Sequence, residues 1–307
     1  MTAITPQPIR LAVIGAGVMG KRHLAATKRV AGLELVGIVD TDTSQIQSAA
    51  EIVNCPVVAD LSSLIGKIDA AIIAVPTAAH VPCATPLLRA GIACLIEKPL
   101  AGSEAECRAL IAAAAESNAV LQVGHIERFN PAIETLAHAN LAPASIRALA
   151  ARRMSAASAR VLDIDVVTDL MVHDIDVVLA LKKTPVAHVS AKGNDDHAVA
   201  LVSFTDGSTA TLTASRVTAT RIRDLDLVTP DEFYHLDYST RTLCRSRRRD
   251  GGQIDADDLA VTGNDALSAQ LEDFIRCVRG KHTPRVSGAD ALACMILTAQ
   301  IRAAIKA

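Results

Sequence analysis

Four clusters along this chain have residue types and spacing suited to chemistry. The first is Gly15-Ala16-Gly17-Val18-Met19-Gly20, a GxGxxG turn between an apolar strand-like run, Ile9–Ile14, and helical spacing over 18–30. Such a turn aims backbone N–H groups and the positive end of a helix at a phosphate. Gly15 permits the tight turn, Gly17 lets the backbone approach a pyrophosphate, and Gly20 lets helix and strand pack closely. Val18 and Met19 open the helix and share the cradle. Asp40, twenty residues after Gly20, ends the second strand and can accept from ribose hydroxyls. Asp40 and Asp42 would repel a 2′-phosphate, so the expected cofactor is NAD rather than NADP.

The second cluster is Ala74-Val75-Pro76-Thr77 with His80 opening the next helix. Loops at strand carboxyl ends bind ligands in open α/β sheets, so Thr77 and His80 are expected near the nicotinamide. Thr77 is equally suited to capping the helix. The third is Glu97-Lys98-Pro99, a lysine beside a carboxylate at a strand end, able to present an oriented ammonium to cofactor or substrate oxygen. A surface ion pair is the plainer reading of the same residues. The fourth is Asp169-Leu170-Met171-Val172-His173, in an apolar helical run over 162–181. Asp169 and His173 are four apart and share a helix face, the layout of a base and the acid that orients it. Asp165 and Asp176 extend the stripe, which must face water or a polar cavity.

These clusters need elements to hold them. Residues 1–124 alternate short apolar strands (Ile9–Ile14, 33–39, 69–75, 92–96, 120–123) with helical stretches (18–30, 43–53, 79–90, 103–117). That pattern predicts a doubly wound parallel sheet covered on both faces. Beyond 124 the pattern changes. Strand-like runs at 145–153, 186–192, 198–204, 209–216, 225–228 and 233–238 follow one another with turn signals, and helical runs lie at 265–278 and 289–305. The expectation is an α+β domain over 125–307 with an open, mostly antiparallel sheet. The run Arg245–Arg249 reads as a charged, solvated loop. Apolar residues on both phases of 198–204 (AVALVSF) predict that the sheet is covered by a second copy, giving a dimer or tetramer.

Composition narrows the function classes. The chain has 307 residues, 50% hydrophobic and 21% charged, with 31 basic against 33 acidic residues. That is globular, long enough for two domains, and without the basic excess that grips nucleic acid or an anionic membrane. Aromatics are only 2%, with no Trp, too few for a base-stacking platform. Seven scattered cysteines include no CxxC pair, and no Cys/His group has metal-ligand spacing. They read as buried thiols in a reducing cytoplasm, with no metal. The start, MTAITPQPIR, lacks a basic-then-apolar leader pattern, and the apolar run 70–79 is too short to span a bilayer.

In order and spacing, GxGxxG, AVPT, EKP and DxxxH are similar to the Gfo/Idh/MocA oxidoreductases over essentially the whole chain. The segment 286–292 (VSGADAL) resembles that family's closing segment. The resemblance implies an N-terminal Rossmann domain, NAD-dependent oxidation of a sugar or polyol CH–OH group, and catalytic positions at Lys98, Asp169 and His173. The base is His173, oriented by Asp169 with Lys98 donating, or the His173 and Lys98 roles are exchanged. His125-Ile126-Glu127-Arg128-Phe129-Asn130-Pro131 and the DLMVHDIDVVLAL run resemble the branch that oxidises UDP-linked amino sugars on the way to lipid A precursors. The GGxxxD lead-in of the inositol branch is replaced by Val166-Val167-Thr168. A UDP-sugar needs cationic partners, for which Arg152, Arg153 and Arg160 are candidates, and Arg128 and Asn130, just after a strand end, are candidates to line the cofactor or substrate cleft. Alternatives are a free sugar, a polyol, a UDP-sugar acid, or a sensor that binds NAD without turnover.

Overall fold

The computed structural model describes residues 7–139, 141–156, 164–280 and 282–307. Five strands, β1 (Ile9–Ile14), β2 (Leu33–Val39), β3 (Ala70–Ile73), β4 (Ala93–Glu97) and β5 (Leu121–Gly124), form an all-parallel sheet in the order β2-β1-β3-β4-β5. The order switches direction at β1, so the crevice at its carboxyl end lies beside the glycine turn. Helices α1 (Val18–Thr27), α2 (Thr43–Ala50), α3 (His80–Arg89) and α4 (Glu104–Ser117) make the crossovers. Leu11, Val13, Ile72 and Leu95 are buried to 1% or less, as a sheet covered on both faces requires. Asp42 caps α2 through the amide of Ser44, and Ser103 caps α4 through the amide of Glu106.

The second sheet has eight strands: β6 (Ala148–Ala156), β7 (Val186–Gly193), β8 (His197–Phe204), β9 (Thr209–Ser215), β10 (Val217–Val228), β11 (Glu232–Asp237), β12 (Thr242–Arg248) and β13 (Ile254–Asp258). Their order is β13-β12-β11-β10-β6-β9-β8-β7, antiparallel except for β6 beside β9. Helix α5 (Pro131–His138), a π-helical turn (Val167–Met171) and α6 (Val172–Lys182) contribute to its core with Leu149, Ala200, Leu212, Leu225 and Leu236.

By internal contacts the chain forms two compact units, Met1–Ile126 with Asp265–Leu292, and Glu127–Asn264 with Ala293–Ala307. The sequence division at 124 had assigned 265–292 to the second domain. Helix α7 (Ala266–Val278) instead packs on α1, burying Leu271, Phe274 and Ile275 in the first unit's core. Ser287 and Asp290 cap each other at the start of α8 (Gly288–Lys306), the amide of Ser287 donating to Asp290 at 2.8 Å. Helix α8 has the length and hydropathy of a membrane span, yet Cys294, Leu297 and Ile301 are buried in the second unit's core.

Two expectations change. Residues 245–248 are strand rather than loop, because acidic partners lie across from the basic ones: Arg245 bonds Asp257 and Arg247 bonds Glu232, while Arg249 beyond the strand bonds Asp255. All seven cysteines are thiols, but only Cys94, Cys107, Cys277 and Cys294 are buried; Cys55, Cys83 and Cys244 are partly exposed.

Candidate active site

In the first unit the glycines do what their positions require. Gly15 has φ +97°, and a Cβ there would lie 2.5 Å from the Ala74 carbonyl. A Cβ on Gly20 would lie 1.8 Å from the Gly15 carbonyl, so this glycine lets α1 meet β1. A Cβ on Gly17 would meet nothing within 4 Å. Gly17 is also the N-cap of α1 and offers no side-chain oxygen, so the first-turn N–H groups have an open approach. Val18 and Met19 sit in that turn, Val18 exposed and Met19 partly so. This uncapped, open cradle fits a pyrophosphate. Asp40 accepts from the amides of Ala16 (2.6 Å) and Asp42 (2.9 Å), which holds the acid at the turn. Each of its oxygens keeps a lone pair for a ribose hydroxyl. Hydrogen bonds from Ser44 hold the Asp42 carboxyl below the usual carboxylate range.

The AVPT and EKP motifs are tied together. Thr77 opens a short 3₁₀ turn, Thr77–Ala79, and is partly exposed. His80 is 1% exposed, with Nε2 3.0 Å from the Val75 carbonyl and Nδ1 3.0 Å from that of Pro99. Both ring nitrogens thus face backbone, and the imidazole fastens the loop after β3 to the loop after β4. Glu97 is 9% exposed and bonds His23 Nε2 at 2.7 Å, from the helix that starts at the glycine turn. Its other oxygen faces the Lys98 amide at 3.3 Å. A Cβ on Gly124 would lie 2.9 Å from that oxygen, so β5 leaves a slot for the carboxylate. His23 was not identified from the sequence. Its contact with Glu97 spans 74 residues, and a histidine on an apolar helix face carries no local signal of such a role.

In the second unit Asp169 lies in the π-helical turn and His173 in the first turn of α6, both partly exposed. Single π turns interrupting α-helices are frequent at functional sites. Of the two settings open to the acidic stripe, water or a polar cavity, Asp176 takes the buried, paired one, and its neighbour Asp174 joins it. Asp165 caps the turn, accepting from the amides of Val167 (3.1 Å) and Thr168 (3.0 Å). Asp174 and Asp176 are each 2% exposed. Asp176 receives Arg128 at 3.4 Å, and Asp174 receives Arg153 through two bonds, Nε at 2.9 Å and Nη2 at 2.8 Å. Arg153 Nη1 donates to Glu127 at 2.8 Å, and its guanidinium lies 5.1 Å from the Tyr238 ring centre. Burial opposes the charge on Arg153, but Asp174 and Glu127 more than offset it, so its pKa is raised. Arg153 therefore joins α6 to the segment beginning at Glu127. Asn130 caps α5 through the Ala132 amide and donates to Glu127.

Adjacent in sequence, Arg152 and Arg153 point to opposite faces of β6, as a strand demands. Arg152 bonds Asp224 at 2.9 Å on the face away from the core. Arg160 lies outside the described residues. Two further arginines, Arg221 and Arg223 on β10, stand in phase with the core residues Leu225 and Leu227. The same period-2 reading of 221–228 would have found them. Elsewhere in the first unit, Asp273, Cys277 and His282 bring donor atoms within 4.8 Å of one another, a grouping hidden in the sequence spacing. There His282 already bonds Asp273 at 2.8 Å, and burial pushes the Cys277 thiol up to about 12.

Residues 9–125 match the oxidoreductase family with an NAD-binding Rossmann fold, Gfo/Idh/MocA. UDP-N-acetylglucosamine 3-dehydrogenase of Acidithiobacillus ferrooxidans is 33% identical, the alignment covering 97% of this chain and 98% of that protein. The chain belongs to the Gfo/Idh/MocA oxidoreductases. A solved structure of the Acidithiobacillus ferrooxidans enzyme matches with a TM-score of 0.91 and 30% identity, covering 98% of this chain and 99% of that one. Inositol 2-dehydrogenase 4 of Saccharopolyspora erythraea is 31% identical over 78% of this chain and 70% of its own length. Family membership makes NAD the cofactor.

Proposed function

We propose that this oxidoreductase oxidises the 3-hydroxyl of UDP-N-acetylglucosamine to the 3-keto sugar. The observation that carries the reading is end-to-end similarity to UDP-N-acetylglucosamine 3-dehydrogenase, 33% identity over 97% of the chain. The polyol alternative has the support of the inositol 2-dehydrogenase, at 31% identity over 78% of the chain.

Gly15, Gly17, Val18, Met19, Gly20 and Asp40 hold the dinucleotide, with Thr77 and Glu97–Lys98 toward its nicotinamide end. When bound, NAD supplies the hydride acceptor. The chain's part is position and proton transfer. His173 takes the hydroxyl proton, an imidazole being the side chain suited to exchanging a proton near neutral pH. Asp169 orients the imidazole and stabilises its charged form. Lys98 donates to the oxygen on which negative charge develops. Glu97, held by His23, sets the start of the Lys98 backbone. The enzyme works in the cytoplasm, on the route to lipid A amino sugars, as a dimer or tetramer covering the outer face of the eight-stranded sheet. Val199 and Leu201 are exposed there.

The test is NADH fluorescence on mixing the protein with NAD and UDP-N-acetylglucosamine, with a carbonyl trap to pull the unfavourable ketone equilibrium. NADH from this sugar, with none from free N-acetylglucosamine or myo-inositol, is expected. Turnover of inositol alone selects the polyol reading. NAD binding with no turnover on any sugar selects a sensor.

A further inference from the structure

The core face of the eight-stranded sheet ends in an unusual row. Leu227 sits opposite Leu149 and Tyr234, and Leu225 opposite Ala151 and Leu236, all buried to 1% or less. The next row is charged. Arg223 sits opposite Arg153, and its carbonyl accepts from the Tyr238 amide at 2.9 Å. Arg221, two residues back where the pairing with β6 is irregular, is exposed, and its charge acts on Arg223.

The two inner arginines differ in their partners. Arg153 is neutralised by Asp174 and Glu127. Arg223 has no carboxylate bonded to it among the described residues, and its Nε is inaccessible to solvent with no hydrogen-bond partner there. Burial, then the neighbouring charges of Arg153 and Arg221, lower its pKa to about 10, and the more distant pull of Glu127 and Asp174 offsets only part of this. A half-buried cation set against two others is costly unless an anion joins it. The row is tied to the helix that carries the candidate base: Arg153 grips Asp174, the residue after His173.

We infer that Arg223, with Arg221 beside it, is the subsite for the diphosphate of the nucleotide-sugar substrate. The inference rests on the proposed UDP-sugar reading and deepens it. Guanidinium forks match the oxygens of a phosphate pair, and two of them match its charge. Arg128, Arg152 and Arg153 do not serve, because each already holds a carboxylate.

The experiment is calorimetric titration of UDP, uridine and inorganic pyrophosphate into the full-length NAD-loaded protein, for wild type, Arg223→Gln, Arg223→Lys and Arg221→Gln. Melting is recorded in parallel. Arg223→Gln is expected to weaken UDP binding about 10–100-fold, and Arg221→Gln about 3–10-fold, as loss of charge-assisted bonds implies. Arg223→Lys should fall between wild type and Arg223→Gln. Uridine and NAD affinities should stay within twofold. The melting temperature of Arg223→Gln should hold or rise, because an unpaired charge is removed, whereas a structural arginine would lower it. Absence of UDP binding to wild type, or UDP affinity in Arg223→Gln within twofold of wild type, overturns the subsite. Arg223-dependent UDP binding with no turnover of UDP-N-acetylglucosamine keeps the subsite and discards the proposed reaction. Normal turnover with Arg223-independent binding does the reverse.

Discussion

Replacing Arg153 by alanine removes a large side chain that is only 2% exposed, together with three charge-assisted hydrogen bonds of 2.8–2.9 Å. It leaves Asp174, 2% exposed, as a buried charge without its bidentate partner, and frees one oxygen of Glu127. Breaking a buried pair from one side costs about 3–5 kcal/mol, because the remaining charge cannot return to water. In a protein of this size each kcal/mol moves a melting midpoint by about 2–4 °C, so a fall of about 6–20 °C is expected. The assay is differential scanning calorimetry of the full chain. Arg153→Lys keeps the charge but cannot fork to two carboxylates, so it should recover only part of the loss. The triple variant Arg153→Met, Asp174→Asn, Glu127→Gln should recover more, since no bare charge remains. A midpoint for Arg153→Ala within about 2 °C of wild type would refute this reasoning, as would full recovery by lysine.

Other outcomes follow from the same geometry. His173→Ala and Lys98→Ala should each lower kcat about 10²–10⁴-fold, with NADH affinity in His173→Ala unchanged; near-normal turnover in both removes them from proton transfer. Gly17→Val places its side chain in open space, so apo stability should hold while NAD affinity falls by about 100-fold or more; retained binding would mean that the pyrophosphate lies elsewhere. Lys182 Nζ, on a side chain with no exposed surface, donates to Asp206 at 2.6 Å, and with Ser208 this holds the Asp206 carboxyl well below the usual carboxylate range. A folded-state pKa below the unfolded value near about 3.9 contributes stability at neutral pH that is lost as pH falls through the folded value. Melting of Asp206→Asn should therefore lie below wild type at pH 7 and converge with it in acid; parallel curves would contradict the pairing.

The legible parts of the site were those where sterics leave one residue type. Gly15 at positive φ and Gly20 against a carbonyl are glycines of necessity, and the turn they make appears as a local motif. The parallel sheet was legible because strands buried on both faces read as unbroken apolar runs. Contacts distant in sequence were not. The His23–Glu97 bond and the return of α7 to the first unit depend on tertiary packing that no local spacing encodes. Arg152 and Arg153 were grouped because they are neighbours in sequence, although strand alternation separates neighbours; that Arg153 sits across from Arg223 is a sheet register that no local spacing encodes. Charge misled at 245–248, where a basic run is stable as a strand because Asp257 and Glu232 on the two flanking strands neutralise Arg245 and Arg247.

The most direct measurement uses UDP-N-acetylglucosamine carrying deuterium at C3 or, separately, at C4. The product nucleotide is read by mass spectrometry. Oxidation at the 3-hydroxyl predicts reduced cofactor one mass unit heavier from the C3-labelled sugar and unlabelled cofactor from the C4-labelled one. Label arriving from C4, or from neither position while NADH forms, would contradict the assignment.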